Sequence, residues 1–536
     1  MAPNDKWSLP AHASYWMRAA NVPPHLPLPP SRRILIVTAY RGQFTLDLSL
    51  AALLAWRGHQ VTLGYLPRLG SPIKPPLKDH GSARPYLAAA LRGVESASSD
   101  RVRVIDLSEA GEQDAPLDQA MVESQARADA VMHLRAETID ENLPHHAEAL
   151  AFYREESRNA HRTARNFLSR NAKDFDLLIP GNGMSFVLAH FAHVAKQVGL
   201  DFVTLDKFAF RHVRLMNHGD GLFSFDDLGR LWRERYALGF ETEPFRSEAC
   251  ARAMEILNER RMASQRNWTW SYQSVPGQEA EDAFRAAGVD PSKPYVLICT
   301  NVAFDAGFYN FTTLFSTMRE WLVETVSFLL RETDVNVVVR VHPGEKLHFG
   351  NAESSVQSLV DAGFGQNSRL TIIDAGAPVN SYPLMERCRA GVVFSSTTGI
   401  EMAMLGRRVV VGADVYFAKR GFTRDGVNRQ DYFEALRESA QVDPPAHLSR
   451  KWAQAAQLFH YCVHYAMQYP YCYDKGADLV ERPPHRLAAS DDIRPSLKFL
   501  DALATPTAAF EAALATFHGV AGEEASPVDE IRAVTT

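Results

Sequence analysis

A single local pattern, a short apolar segment followed by a loop and a helix, restricts the fold of this chain more than any other feature. Its first copy begins with the apolar run 34–38, continues through a helical stretch at 46–57 and reaches a second strand at 60–64. Short apolar runs rich in β-branched residues are typical of strands buried on both faces of a parallel sheet. The pattern therefore predicts βαβ units and a doubly wound sheet.

The same pattern returns later in the chain and then repeats in full. A strand is predicted at 176–180, a turn at 181–183 and a helix at 186–199, and a second series of strands and helices starts at residue 295. A junction rich in Gly and Pro, 287–294, separates the two series. The sequence therefore predicts an α/β protein with two tandem Rossmann-like domains.

We expect five segments along the chain. They are an irregular N-terminal segment at 1–30, a first domain with a helical insertion at 31–287, a second domain at 288–440, a helical crossover segment at 441–505 and a loosely ordered tail at 506–536. A helix predicted at 448–469 lies in the crossover segment. We expect this helix to pack back across the cleft between the two domains.

Composition excludes several classes of protein. Lys and Arg total 57 against 63 Asp and Glu, a net charge of -6, whereas nucleic-acid binding favours a basic surplus. The five cysteines are scattered and form no CxxC pair, which argues against a disulfide or zinc framework. No apolar stretch reaches the roughly 18 to 20 residues of a membrane span, and the N-terminus lacks the order of a signal peptide. We therefore expect a cytoplasmic protein with no nucleic-acid partner.

Several motifs of nucleotide-binding and hydrolytic enzymes are absent. The loops after the first strands of the two domains, 38–44 and 300–308, carry no GxGxxG fingerprint, and the chain has neither a GxxxxGK[ST] nor a GxSxG motif. His342 and His348 lie close together but without HExxH spacing. We therefore expect no metal site.

Three strand ends of the second domain carry polar, small or charged residues. Asn301 follows the first strand, the segment from His342 to Glu345 follows the second, and the segment from Ser395 to Gly399 follows a later one. Ligands of open parallel sheets bind beyond the carboxyl ends of the strands. These three segments are therefore expected to converge on one ligand-binding crevice.

The residue types in these segments suit a phosphorylated ligand. A hydroxyl-rich run before a helix offers hydroxyls and backbone N–H groups to a phosphate, and it consists of Ser395, Ser396, Thr397 and Thr398. Glu401 is expected to accept hydrogen bonds from ribose hydroxyls, and His342 to donate to a phosphate oxygen or to shuttle a proton. Arg340 and Lys419 are expected to add positive charge. Plainer interpretations stay open, since the run can be a helix cap and His342 a structural hydrogen-bonding group.

Residues 295–433 resemble the capsule polysaccharide biosynthesis proteins, which include Kdo transferases. Five segments carry the resemblance, at 299–308, 318–330, 337–345, 378–411 and 416–425. The His342-Pro343 pair and the Ser/Thr run are also similar to motifs of bacterial sialyltransferases, which use CMP-sugars. The tandem domains and the C-terminal helix resemble the GT-B architecture of glycosyltransferases.

The resemblance implies a donor site and a catalytic base. It places His342 and the Ser/Thr run on the phosphate of a nucleotide-sugar, within a donor site that includes Asn301, Arg340, Glu345, Ser395, Ser396, Thr397, Thr398, Glu401 and Lys419. It implies an acidic base in the first domain, for which Asp206 is preferred because it follows a predicted strand, with Asp220 second. Loop residues Tyr40, Arg41 and Asn182 are expected on the acceptor side.

The predicted function is transfer of a sugar from a nucleotide-sugar to a hydroxyl acceptor in bacterial surface polysaccharide or glycoconjugate synthesis. The nucleotide-sugar is a co-substrate, with no further cofactor and no metal. The acceptor is a saccharide, a lipid-linked molecule or a protein, and the protein can be peripheral at the inner face of the membrane. Alternatives are a CDP-glycerol-type glycerophosphotransferase, a nucleotide-sugar epimerase and a non-catalytic scaffold.

Overall fold

A computed structural model describes two compact units. The first comprises Met1–His133, Ala147–Asp227 and Met467–Thr536, and the second comprises Leu134–His146 and Leu228–Ala466. The described residues are 28–39, 41–66, 101–108, 110, 115–184, 186–209, 212–218, 245–262, 275–305, 314–347, 355–365, 367–461, 463, 468–470, 497 and 500–501. The short segment Leu134–His146 thus belongs with the second unit, although it lies within the sequence of the first.

The first unit contains a parallel four-stranded sheet. Its strands are β1 (Arg33–Thr38), β2 (Gln60–Tyr65), β3 (Val102–Asp106) and β4 (Leu177–Ile179), in the order β3-β2-β1-β4. Strand β1 is central, and after Arg33 every one of its residues is buried, as its apolar run predicts. The helices in this part of the sequence are α1 (Arg41–Trp56), α2 (Gln119–Leu134), α3 (Pro144–Asn171) and α4 (Phe186–Val198).

A second sheet of the first unit is antiparallel. Strand β5 (Val203–Ala209) pairs with β6 (His212–His218), and β6 pairs with β13 (Gln468–Pro470). A single parallel bridge between Leu178 and Phe202 connects the start of β5 to β4.

The second unit contains a six-stranded parallel sheet. Its strands are β7 (Tyr295–Cys299), β8 (Asn336–Arg340), β9 (Leu370–Ile373), β10 (Ala390–Val393), β11 (Arg408–Val411) and β12 (Arg424–Asp425). They lie in the order β12-β11-β10-β7-β8-β9. Counted within the unit, this is the doubly wound order of a Rossmann fold, with its switch point between β7 and β10. The predicted class of two tandem Rossmann-like domains is confirmed.

Helices precede, connect and follow these strands. They are α5 (Phe245–Arg261), α6 (Ala280–Ala287), α7 (Met318–Glu332), α8 (Gly344–Leu347), α9 (Ser355–Asp361), α10 (Ser381–Arg387), α11 (Thr398–Met404), α12 (Arg429–Gln441) and α13 (Ala446–Tyr461). Helix α13 packs on α5 and α11, all within the second unit. The predicted crossing of this helix over both domains stays a prediction, as do the domain limits.

Among the described residues, no helix combines the length and the apolar character needed to span a membrane.

Candidate functional site

The switch point of the second sheet brings the three predicted strand ends level with one another. Cys299, the last residue of β7, lies opposite Val393 of β10 on one side and opposite Arg340 of β8 on the other. The loops that begin at Thr300, Val341 and Phe394 therefore leave the sheet at the same height. This edge is where open α/β sheets bind ligands.

His342 is held in a tight turn by two hydrogen bonds. Its backbone N–H donates to Thr300 Oγ1 at 2.8 Å, and its Nδ1 accepts from the backbone N–H of Gly344 at 3.0 Å. Because Nδ1 is an acceptor, the neutral ring carries its proton on Nε2. The turn therefore fixes Nε2 as a hydrogen-bond donor, which is the form that suits a phosphate oxygen.

Gly344 allows the His342 ring to pack against its own turn. A Cβ at position 344 would lie 2.8 Å from His342 Nδ1 and 3.1 Å from Val302 Cγ2. Only glycine fits at this approach without displacing its neighbours. Val302 belongs to the loop after β7, so the loops after β7 and β8 are in direct contact here.

Asn301 is buried just beyond the end of β7, and only the nitrogen of its side-chain amide makes a hydrogen bond among the described residues. Only 7% of the residue is exposed, and its Nδ2 donates to the carbonyl oxygen of Val302 at 3.1 Å. Its Oδ1 has no hydrogen-bond partner among the described residues. A buried acceptor left in this state costs about 1–3 kcal/mol, which a suitable ligand donor would recover.

The Ser/Thr run leaves β10 directly and enters α11. The hydroxyls of Ser396 and Thr398 are 2.9 Å apart, and the backbone N–H of Thr398 donates to Ser396 Oγ at 3.4 Å. Thr397, the residue just before the helix, makes no capping bond through its side chain. A simple Thr397 cap therefore does not account for the run. Ser395 lies at its start and is half-buried.

Arg340 lies at the end of β8 but has protein oxygens as partners, two backbone carbonyls and one hydroxyl. Its guanidinium donates to the carbonyl oxygen of Asp374 at 2.6 Å and, at longer distances, to Val379 O and Ser381 Oγ. The residue is 3% exposed, and burial lowers its pKa. Arg340 thus ties β8 to the loop after β9 and to the start of α10.

The two predicted glutamates also have protein partners. Glu345 accepts from the backbone N–H and hydroxyl of Ser355, at 3.1 and 2.6 Å, and holds the start of α9; burial raises its pKa. Glu401 is 3% exposed and forms an ion pair with Arg260 of α5. The structure gives Glu401 a buried cation in place of the ribose hydroxyl predicted for it.

Lys419 lies near β12, two strands from β10. Its backbone N–H donates to Asp425 Oδ2 at 2.9 Å, and its ammonium lies 3.1 Å from Asp414 Oδ1. Its φ of 60° is unusual for a residue with a side chain. The ammonium therefore neutralises a neighbouring carboxylate at the edge of the sheet.

The first unit has an equivalent edge at the carboxyl ends of β1 and β4. Asn182 follows β4, and its Oδ1 accepts from the backbone N–H of Met184 at 3.1 Å. Thr38 ends β1, is 1% exposed, and its hydroxyl has no partner among the described residues. Thr38 could not be distinguished from the sequence, because a threonine at the end of an apolar run resembles an ordinary strand residue. Tyr40 and the side chain of Arg41 lie outside the described residues.

The expectation that Asp206 follows a strand is wrong. Asp206 lies inside β5, opposite Arg214 of β6. The strand continues past Leu205 because β6 pairs with it in an antiparallel hairpin, which hydrogen-bonds the backbone beyond the apolar run. The side chain of Asp206 and all of Asp220 lie outside the described residues, so both assignments as base stay predictions.

Arg135 and Asp305 are a pair that the sequence did not connect. Arg135 has a φ of 59°, and its guanidinium lies 4.9 Å from the centre of the Phe304 ring. Burial raises the pKa of the neighbouring Asp305 to about 6, and the Arg135 charge opposes that rise. The two residues are far apart in the sequence, and both belong to the second unit.

No group of three or more His, Cys, Asp or Glu residues within the described part of the chain is arranged to hold a metal ion.

Comparison with known proteins gives one family match. Residues 258–459 match the family described as capsule polysaccharide biosynthesis protein. The matched segment begins in the last turn of α5, contains the whole six-stranded sheet and ends in α13. None of the curated proteins matches this chain.

Solved structures show only distant likeness. The β-Kdo 2,4 transferase KpsC of Thermosulfurimonas dismutans is 15% identical, with 59% of this chain and 89% of that chain covered and a TM-score of 0.35. A glycosyltransferase of Rickettsia africae is 10% identical, with 89% and 99% covered and a TM-score of 0.30. The UDP-GlcNAc 2-epimerase of Neisseria meningitidis is 11% identical, with 80% and 98% covered and a TM-score of 0.28. At these TM-scores, none of the three distinguishes one function from another.

The family match spans every segment that carries the resemblance predicted from the sequence. The finer likeness to sialyltransferase motifs stays a prediction. The region from α5 to α13 is thus similar to the capsule polysaccharide biosynthesis proteins, and this confirms the predicted resemblance.

Proposed function

We propose that the protein is a glycosyltransferase that moves a sugar from a nucleotide-sugar to a hydroxyl acceptor in bacterial surface polysaccharide or glycoconjugate synthesis. One observation carries the proposal. Within the family-matched segment, the loops after β7, β8 and β10 leave the sheet level with one another at its switch point. These loops bring a histidine donor, hydroxyl groups and a buried amide oxygen to one edge.

The second domain binds the donor by its phosphate. His342 donates from Nε2 to a phosphate oxygen, and the hydroxyls of Ser395 to Thr398 add further donors. When the bond between the sugar carbon and the phosphate oxygen breaks, negative charge grows on the phosphate. Fixed donors stabilise that charge more strongly in the transition state than in the bound substrate.

The first domain presents the acceptor. Asp206 or Asp220 takes the proton of the acceptor hydroxyl, the oxygen attacks the anomeric carbon and the nucleotide leaves. Tyr40, Arg41 and Asn182 face the acceptor, which is a saccharide, a lipid-linked molecule or a protein.

The reaction uses no metal and no cofactor beyond the nucleotide-sugar. It takes place in the cytoplasm, with the enzyme peripheral at the inner face of the membrane where the acceptor is lipid-linked.

A thermal-shift panel with CMP, CDP, UDP, GDP and dTDP tests this proposal. A nucleotide at 100 times its dissociation constant stabilises a protein by about 2.7 kcal/mol, a readily measured shift. We expect a shift with one nucleotide that disappears in His342→Ala and persists in His447→Ala, whose side chain is exposed on α13. A shift with none of the five would favour the scaffold alternative, and transfer from CDP-glycerol to give a phosphodiester would identify a glycerophosphotransferase.

A further inference from the structure

The end of β7 carries a buried acceptor that phosphate cannot satisfy. Asn301 Oδ1 needs a hydrogen donor, whereas a phosphate dianion offers only acceptors. The orientation of the amide follows from its partner. Val302 O accepts from Asn301 Nδ2, so exchanging the two amide atoms would place two oxygens against each other. Whatever ligand group meets Asn301 must therefore carry a hydroxyl or an N–H.

Asp305 is a second acceptor on the same turn. The carbonyl oxygen of Val302 also accepts from the backbone N–H of Asp305, at 3.1 Å, so one oxygen anchors both residues. A carboxylate accepts hydrogen bonds through both of its oxygens. The turn after β7 thus carries an amide oxygen and a carboxylate on one short stretch of backbone.

Arg135 is positioned to keep that carboxylate ionised. Its charge lowers the pKa of Asp305 against the effect of burial. Its backbone has a positive φ, which costs energy for any residue except glycine and commonly occurs at functional sites. Its guanidinium packs over Phe304, the residue next to Asp305. Arg135 therefore acts on the ligand through Asp305 and is a positioning residue.

We propose that Asn301 and Asp305 bind the vicinal hydroxyl groups of the donor's ribose, and that Arg135, which packs over Phe304, positions Asp305 for this task. The proposal rests on the proposed function, since it requires a nucleotide at the switch point. Glu401, the residue expected to bind ribose, is paired with Arg260, so another acceptor is needed. The turn after β7, which carries Asn301 and Asp305, touches the turn of His342, because Val302 lies against Gly344.

Isothermal titration with CMP, UMP and GMP, each beside its 2′,3′-dideoxy counterpart, tests the proposal. We expect the wild-type protein to bind one ribonucleotide at least about 10-fold more tightly than its dideoxy form. In Asp305→Asn, and separately in Asn301→Ala, this preference should fall to about 2-fold or less. Asp334→Asn is the matched control, because Asp334 is exposed and precedes β8 at the opposite edge of the sheet.

Using the ratio of the two affinities removes effects that both ligands share, including titration of the phosphate and any general loss of folding. A variant that weakens both ligands equally would overturn the proposal, and so would a wild-type protein without preference for ribose hydroxyls. In both cases nucleotide binding, and with it the proposed function, would stand. Failure of the wild-type protein to bind any of these or of CDP, UDP, GDP and dTDP would overturn the proposed function itself. Binding of dTDP alone, whose sugar lacks the 2′-hydroxyl, would overturn only the ribose proposal.

Arg135 is tested by the pH dependence of the same ratio. The preference for ribose should be lost as the pH falls through the pKa of Asp305, which is about 6 in the wild-type protein. In Arg135→Met the pKa of Asp305 rises, so the preference for ribose should already fall at higher pH than in the wild-type protein. Near pH 8.5 the preference of this variant should equal that of the wild-type protein. Arg135→Lys keeps the positive charge and should retain most of the wild-type profile. An unchanged profile in Arg135→Met would remove Arg135 from the site.

Discussion

The carboxylate of Glu401 in α11 is paired with the guanidinium of Arg260 in α5, and both side chains are largely buried, at 4% and 13% exposure. Helix α13 packs on both of these helices. The ion pair therefore lies within a three-helix contact on the family-matched part of the second unit. This pairing with Arg260 explains why the helix that follows the Ser/Thr run carries an acidic residue, Glu401, in its first turn.

Removing one member of this pair should destabilise the second unit strongly. Glu401→Gln and Arg260→Met each remove one charge of a buried ion pair and leave the opposite charge buried, which typically costs about 3–5 kcal/mol. The double variant should cost less than the sum of the two, because both charges are then gone. Urea unfolding measures these differences. The exposed pair Asp282–Arg285 is the control, and its loss should cost at most about 1 kcal/mol.

The strands and the polar strand ends could be predicted because both depend on local sequence. Apolar runs identify β7, β8 and β10, and the parallel arrangement then brings Asn301, His342 and the Ser/Thr run to one edge. No knowledge of distant contacts is required for that step. The doubly wound order follows from the same succession of strands and helices.

The partners of the charged residues could not be predicted because they come from distant parts of the chain. Arg260 precedes Glu401 by 141 residues. The segment that carries Arg135 lies within the sequence of the first unit, yet packs in the second. A charged residue near a predicted site has the same appearance in the sequence whether it faces a ligand or a buried counter-ion. Arg340 and Glu345 illustrate this, since both bind protein groups.

Gly344→Ala should weaken nucleotide binding with little effect on folding. The added Cβ would lie 2.8 Å from His342 Nδ1, so the ring must move away from the position in which its Nε2 is fixed. We expect the affinity for the nucleotide that binds the wild-type protein to fall about 10-fold, the loss of roughly one hydrogen bond to a charged group. Gly365→Ala, which meets only an ordinary contact with Val360, is the control. Unchanged affinity in Gly344→Ala would show that His342 does not bind the phosphate.

Glu137 should contribute to stability by holding the first turn of α7. Its carboxylate accepts from the backbone N–H groups of Met318 and Arg319, and Thr317 Oγ1 accepts from Glu320 N–H at 3.0 Å. We expect Glu137→Ala to cost about 1–2 kcal/mol of unfolding free energy, the usual effect of losing a helix cap. Glu434→Ala, on the exposed face of α12, should have almost no effect. Equal stabilities of the two variants would show that the Glu137 contacts contribute nothing.

Acid should destabilise the first unit through two buried histidines. His161 Nε2 accepts from the backbone N–H of Asp118 at 3.2 Å, and His190 Nε2 lies 2.9 Å from Ser157 Oγ, which donates to the carbonyl of Val122. Burial is the main cause that lowers their pKa values, to about 4 and about 3. Both rings are therefore neutral in the folded protein at pH 7.

The direction of the effect follows from these pKa values. Above about pH 6.5 both histidines are neutral whether the chain is folded or unfolded, and their contribution to stability is fully present. As the pH falls below 6.5 the unfolded chain takes up protons that the folded chain does not, and each histidine removes about 1.4 kcal/mol per pH unit until its folded pKa is reached. Urea unfolding at pH 7.5, 6.0 and 5.0 measures the slope. His190→Gln should lower stability at pH 7.5 but reduce the slope, whereas Ser169→Ala, at an exposed position of the first unit, removes no ionisable group and should leave the slope as it is. An unchanged slope in His190→Gln would mean that His190 is protonated in the folded protein and that its burial does not keep it neutral.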